Sequence, residues 1–182
     1  MNTNLPVVQW YAVCTRPKSE KKVASTLSRN RFETFLPVKT VTSSWSFLRK
    51  TEHEPLFSSI VFVKATEDQL AEIRNTKGVV NFLYWLNAPA VISEQDITGI
   101  RDFLSRYQQV QTVHVPVRLS DNSDRSAVTA AADLKVAHLH NTERVLLASL
   151  GYMLLAPAQQ VKTVPAREVP MIYPYFRYTD AG

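Results

Sequence analysis

A single cysteine, Cys14, stands alone in 182 residues, so no disulfide can form within the chain and a reducing, bacterial-type cytoplasm is the expected setting. Only four glycines occur, Gly78, Gly99, Gly151 and Gly182, too few and too scattered for a phosphate-binding glycine loop. No apolar run approaches the roughly 18 residues of a membrane span, and residues 1–15 lack the charged start and small-residue cleavage site of a signal peptide. Metal chemistry is equally thin. His138 and His140 would share one strand face, but neither they nor His53 and His114 have a cysteine or carboxylate spaced to complete a zinc site. Cys14 has no base beside it in sequence, which favours a structural thiol over a nucleophile. With no paired acid and base, the chain is not expected to be an enzyme or to need a cofactor.

What is present is apolar surface and a skewed distribution of cations. Hydrophobic residues make up 45% of the chain, enough to build a core in one medium domain or two small ones. Residues 16–50 carry nine basic and two acidic side chains, whereas residues 111–182 carry seven and six. Such a local excess suits a phosphate backbone, whose neutralisation releases counterions; the plain alternative is a solvated basic face.

Residues 7–13 alternate and are rich in strand formers, which predicts a strand ending at Cys14. Pro17 suits a first helical turn, and a helix is expected over 17–31 with Val23 and Leu27 inward and Lys18, Lys22, Ser25 and Arg29 outward. Strands are expected at Phe35–Val38 and Phe57–Lys64, joined through 39–54 by an extended β arm, because that connection is too long for a tight hairpin. A capping box, Thr66 with Gln69, opens a second helix that ends at Gly78, and Val79–Trp85 reads as a fourth strand. Ser93 then caps a third helix with Ile97, Ile100, Phe103, Leu104 and Tyr107 on one stripe. The order β-α-β-β-α-β is that of a ferredoxin-like α/β sandwich, an α+β fold.

Residues 108–114 are polar and aperiodic and read as a linker. Beyond them, short β-prone stretches at 113–119, 127–129, 134–139, 144–147 and 152–155 suggest a small barrel. Residues 143–150 can be read as helix or strand, and strand is the expectation. The tail, 165–182, mixes Pro165, Pro170 and Pro174 with Tyr173, Tyr175, Phe176 and Tyr178 and is expected to be extended.

The stretch Pro55 to Val63, PLFSSIVFV, preceded by Trp10-Tyr11 and a basic helix and followed by Lys77-Gly78-Val79-Val80, resembles the N-terminal domain of the NusG family of transcription elongation and antitermination factors. The family often has Pro-Gly-Tyr where this chain has Ser58-Ser59-Ile60. The resemblance covers residues 9–107, thins beyond, and points to the specialised, RfaH- and UpxY-like branch. It implies an NGN-type domain over 1–107, the linker at 108–114, a divergent KOW-like β domain over 115–164 and the tail.

In this family an apolar depression docks on the clamp helices of the largest subunit of RNA polymerase. The resemblance assigns that role to Val13, Phe57, Ile60 and Phe62, with Tyr11 on the strand face of Val13. Alternation places Ser58, Ile60 and Phe62 on one side of their strand and Phe57, Ser59, Val61 and Val63 on the other, and apolar groups on a face without helices form a patch that seeks a partner. For each such residue, ordinary core is the competing reading. The opposite, basic surface of the family faces upstream or non-template DNA, and Arg16 and Lys77 match basic positions of that surface. Charge alone adds Lys18, Lys22, Arg29, Lys39, Arg49 and Lys50. Trp45 and Phe47 either stack on splayed bases or pair across the arm.

The family's second domain carries glycines after its first strand and recruits partners such as termination factor Rho or a ribosomal protein. Residues 117–142 hold no glycine, although Asp121 and Asn122 tolerate left-handed turn geometry; RVLLASLGYMLL at 144–155 is similar to the end of that domain in specialised members. Two functions therefore remain open: a polymerase-bound elongation or antitermination factor that suppresses pausing or termination, and a free-standing RNA- or DNA-binding module without polymerase binding.

Overall fold

The computed structural model describes residues 6–43, 50–115 and 141–158. Along the chain run β1 (Gln9–Thr15), α1 (Glu20–Arg29), β2 (Glu33–Phe35), β3 (Val38–Ser43), β4 (Lys50–Pro55) and β5 (Ile60–Ala65). A single 3-10 turn (Glu67–Gln69) leads into α2 (Leu70–Arg74), followed by β6 (Val79–Phe82), β7 (Tyr84–Trp85), β8 (Ala88–Pro89) and β9 (Val91–Ile92). The remainder is α3 (Glu94–Arg106), β10 (Gln111–His114), β11 (Thr142–Leu147) and β12 (Tyr152–Pro157). Contacts divide the described residues into two units, one of 6–37 and 57–93, the other of 38–43, 50–56, 94–115 and 141–158. In this division α3 goes with the segments that follow it. None of the described helices is long and apolar enough to cross a membrane.

The first unit is an antiparallel sheet in the order β2-β5-β1-β6, the ferredoxin-like arrangement, with β9 also pairing β1. β6 holds the C-terminal half of β1 through Val13↔Phe82, and β9 holds the N-terminal half through Trp10↔Ile92. Between them the chain leaves the sheet as the small hairpin β7-β8. Its turn places Leu86 (φ 47°) and Asn87 (φ 64°) in the left-handed region, as a two-residue type I′ turn requires. The fourth strand expected over 79–85 is therefore split, because Leu83 donates its N–H to the Ala12 carbonyl (2.8 Å) and the chain then turns away.

Helix α1 starts three residues later than Pro17 suggested. Pro17 occupies the second position of a type II turn from Arg16 to Ser19, closed by the Ser19 N–H on the Arg16 carbonyl (3.0 Å), with Lys18 at φ 62°. The helix ends in a Schellman motif: Phe32 N–H meets the Leu27 carbonyl (3.1 Å), Arg31 N–H meets that of Ser28 (3.1 Å), and Arg31 takes the left-handed position (φ 67°). The capping box forms as expected, the Thr66 N–H donating to Gln69 Oε1 (3.0 Å). The helix behind it is short, one 3-10 turn and five α residues, and it ends at Arg74 rather than at Gly78.

The second unit contains the β arm and a three-stranded sheet. β3 and β4 pair from Val38↔Pro55 to Ser43↔Lys50, which makes the expected arm a regular hairpin. Helix α3 carries the expected stripe, with Ile97, Ile100 and Phe103 buried and Phe103 against Tyr107 at 4.6 Å between ring centres. Beside that stripe α3 meets β11 at Gly99, where a methyl group would stand 3.6 Å from Val145 Cγ1. Asp96, also buried, accepts hydrogen bonds from the Ser149 N–H (2.8 Å) and the Ser149 hydroxyl, tying α3 to the β11-β12 turn.

The sheet order is β10-β12-β11, and Val115, Met153 and Leu155 form its small core with Val113 and Leu146. Residues 143–147 are strand, as expected. The segment read as linker contains β10, whose Gln111–His114 pair with Leu155–Tyr152; polar side chains on the exposed edge of a narrow sheet conceal that pairing in the sequence. No closed barrel exists among the described residues, and the strands expected at 127–129 and 134–139, with Asp121, Asn122, His138, His140 and the 165–182 tail, lie outside them.

Candidate functional site

The pairing of β1 with β5 decides which side chains share a face. Tyr11 stands opposite Val63 and Val13 opposite Val61, while Trp10 faces Lys64, Ala12 faces Phe62 and Cys14 faces Ile60. β2 extends the second set, with Phe35 opposite Phe62. The helices identify the first set as the covered face. Ser28 of α1 exchanges a hydrogen bond with the hydroxyl of Thr34, the partner of Val63. Arg74 of α2 lies over the Phe82 ring (5.9 Å), and Phe82 packs edge-on against Tyr11 (6.0 Å). Burial pushes the Tyr11 phenol above its ordinary value, and the negative charge of Glu67 adds to the shift.

Two of the five residues expected to meet polymerase are therefore on the other side of the sheet from the rest. Tyr11 and Val13 are core residues beneath the helices, 2% and 0% exposed. Alternation predicts that neighbours point apart, but the register with β5 sets Tyr11 and Val13 against Val63 and Val61 instead of Ile60 and Phe62. Phe57 is a second correction: it precedes the strand, in the 56–59 turn, so strand alternation does not govern it, and its ring meets Phe62 edge-on at 5.8 Å. Phe62 also stacks with Phe35 at 6.0 Å. Phe57 and Phe62 are themselves buried, at 3% and 0%, in line with the competing reading of ordinary core, whereas Ile60 is half-buried. The residue of β1 that accompanies Ile60 is Cys14, half-buried, with a thiol pushed up by burial and so held protonated. Lys64 closes this face at its far end, over the Trp10 ring (5.5 Å) and 4.0 Å from Glu33.

The turn that delivers Phe57 and Ile60 to this face is held by a residue the sequence did not single out. Ser59 has φ 60°, a left-handed conformation that costs a residue with a side chain about 1–2 kcal/mol. Both of its backbone groups are engaged: its carbonyl accepts from Thr15 N–H (2.8 Å), and its N–H donates to Oε1 of Glu20 (2.7 Å). Glu20 is the first residue of α1 and only 5% exposed. A lone glutamate in a basic segment carries no motif; the only signal available was its place in the first turn, where the helix dipole favours a carboxylate.

The basic expectations fall into three groups. Arg16 and Lys77 are brought together: Arg16 N–H donates to the carbonyl of Gly78 (2.9 Å), so the end of β1 lies beside the loop that carries Lys77. Gly78 lets the same loop pass close to α1, since a methyl group there would stand 2.9 Å from Val23 Cγ2 and its φ is 99°. Lys18 projects from the same corner, in the turn between Arg16 and Ser19, and all three cations are exposed. Lys18 does not share the α1 face as expected, because the type II turn removes it from the helix. Lys22 and Arg29 are exposed on α1, and Arg29 Nε contacts the Ser25 carbonyl at 3.5 Å. On the arm, Lys39 lies 4.0 Å from Glu54 across the hairpin, which offsets part of its charge. Lys50 opens β4, and Trp45, Phe47 and Arg49 lie outside the described residues. No group of three metal-ligating side chains occurs among the described residues.

A comparison with family models matches residues 8–101 to NusG, described as transcription termination factor nusG. A solved structure of Thermotoga maritima NusG, described as showing domain interaction in that protein, is similar with a TM-score of 0.45 and 12% identity, over 87% of this chain and 98% of its own. The comparison with curated proteins yields no match. The matched span takes in the whole β1-α1-β2-β5-α2-β6 sheet and its helices and exceeds half of the chain, and on that ground the protein belongs to the NusG family of transcription factors.

Proposed function

We propose that this protein is a specialised transcription elongation and antitermination factor that binds RNA polymerase through the face of its five-stranded sheet opposite α1 and α2. One observation carries the reading: the register that pairs Ile60 with Cys14 and Phe62 with Ala12 and Phe35 gathers apolar side chains on the side of the sheet away from α1 and α2. Ile60 and Cys14 form the contact surface, and the Phe57–Phe62 pair is the packed floor behind it. The Arg16–Lys18–Lys77 corner contacts upstream or non-template DNA. Holding polymerase and DNA together in this way biases the complex against paused states by differential binding, without catalysis.

The test is binding to core RNA polymerase at moderate and high salt, with Ile60→Asp as the variant. Ile60 is half-buried, so the substitution alters the surface without placing a charge among the rings. Salt-resistant binding that Ile60→Asp abolishes, with polymerase shielding Cys14 from alkylation, supports the reading. Binding to nucleic acid alone that collapses with salt, and none to polymerase, would sink it in favour of a free-standing nucleic-acid module.

A further inference from the structure

We infer that Glu20 is a positioning residue for polymerase docking, and that its carboxylate holds the 56–59 turn in the left-handed form that presents Phe57 and Ile60. The inference rests on the docking reading above. Glu20 and Ser59 lie 39 residues apart in sequence and meet through a 2.7 Å hydrogen bond from a backbone N–H to a carboxylate oxygen. A bond of that kind is charge-assisted and stronger than a neutral one.

Glu20 is only 5% exposed, and burying an acidic side chain is costly unless its partner is fixed. What it fixes is a serine at φ 60°, a conformation serine does not adopt by preference. The turn joins the end of β4 to the start of β5, and it is pinned twice, by Thr15 N–H on the Ser59 carbonyl and by Glu20 on the Ser59 N–H. Releasing the second pin lets residue 59 relax toward negative φ. Such a change redirects the chain on both sides, carrying Phe57 off the edge of Phe62 and Ile60 out of its pairing with Cys14. The fold of the sheet survives, because β1, β2 and β5 pair beyond this point. The docking geometry does not.

Four proteins test this: Glu20→Ala, Glu20→Gln, Ser59→Gly, and Glu20→Ala combined with Ser59→Gly. Two quantities are read, the exchange rate of the Ser59 amide and the affinity for core polymerase, each under conditions where thermal unfolding shows the variant folded. Glu20→Ala is expected to speed amide exchange and to weaken polymerase binding by about tenfold, since only the fraction of molecules with the turn in place binds. Glu20→Gln keeps an acceptor and is expected to stay near the parent protein in both. Ser59→Gly removes the need for the pin, because glycine takes positive φ freely, and the double variant is expected to regain binding. Unchanged exchange in Glu20→Ala, or a double variant that binds as poorly as Glu20→Ala, would overturn the proposal, the latter outcome marking Glu20 as a general stabiliser. If the parent protein binds no polymerase, the docking reading fails, and the exchange data still decide whether Glu20 holds the turn.

Discussion

The two faces of the five-stranded sheet are cut from the same strands and are both apolar, yet only one of them lies beneath α1 and α2. One is closed by α1 and α2 over Tyr11, Val13, Val61, Val63 and Phe82; the other gathers Cys14, Ile60, Phe62 and Phe35 with no helix of this unit on it. Hydrophobicity does not tell them apart. The difference lies in what accompanies the apolar groups: a strand hydroxyl and a strand ring, Thr34 and Phe82, that meet helix residues on one side, and a lysine clasped over Trp10 with a half-exposed isoleucine and thiol on the other. An apolar strand pattern therefore announces two candidate surfaces, and only the location of α1 and α2 tells one from the other.

The strongest way to break this comparison is to place the same charge on each face. Val13→Asp puts a carboxylate beneath the helices at a site with 0% exposure and is expected to cost about 4 kcal/mol or more, enough to leave the first unit unfolded in urea titration. Ile60→Asp on the opposite face is expected to cost no more than about 2 kcal/mol and to register in polymerase binding instead. Equal loss of stability from both would show the second face to be ordinary core.

A smaller effect separates two glycines, one in each unit. Gly78→Ala meets a positive φ and a 2.9 Å approach to Val23 and is expected to lose roughly 1–3 kcal/mol, loosening the Arg16–Lys77 corner. Gly99→Ala has a helical backbone and ordinary contact distances to Val145 and Leu147; a gain of about 0.5–1 kcal/mol is expected, because alanine is the better helix former. Denaturant midpoints of the two variants should move in opposite directions.

The smallest effect is a pH dependence of the covered face. The Tyr11 phenol ionises above its ordinary value of 10 in the folded protein, so the unfolded chain loses its proton first as pH rises. Stability is expected to fall as pH climbs past the unfolded value, and Tyr11→Phe should flatten that part of the profile. A profile that is identical in the two proteins would remove Tyr11 from the buried, helix-covered set.

Much of the architecture was legible. Alternation around Trp10 and Val61, the Thr66–Gln69 capping box and the Ile97–Ile100–Phe103 stripe are local signals, and each produced its element. The misreadings were of another kind. Pro17 is compatible with a helix start and with a turn, and the left-handed Lys18 chose the turn. β10 has no periodicity of its own and exists because β12 pairs with it. Ser59 and Leu86 adopt positive φ without being glycine, so no residue type marked those turns. Glu20 escaped notice because its partner is a backbone amide far along the chain.

By itself the sequence determined that neighbouring strand residues oppose each other, where most elements begin, and to which family the first hundred residues belong. Tertiary structure alone decided which of two apolar faces the helices would cover, that Arg16 would meet the Lys77 loop, and that a glutamate in α1 would pin the turn before β5. The physical reason is that a period of two is symmetric between the faces. The symmetry is broken only when strands pair in register and a helix settles on one side.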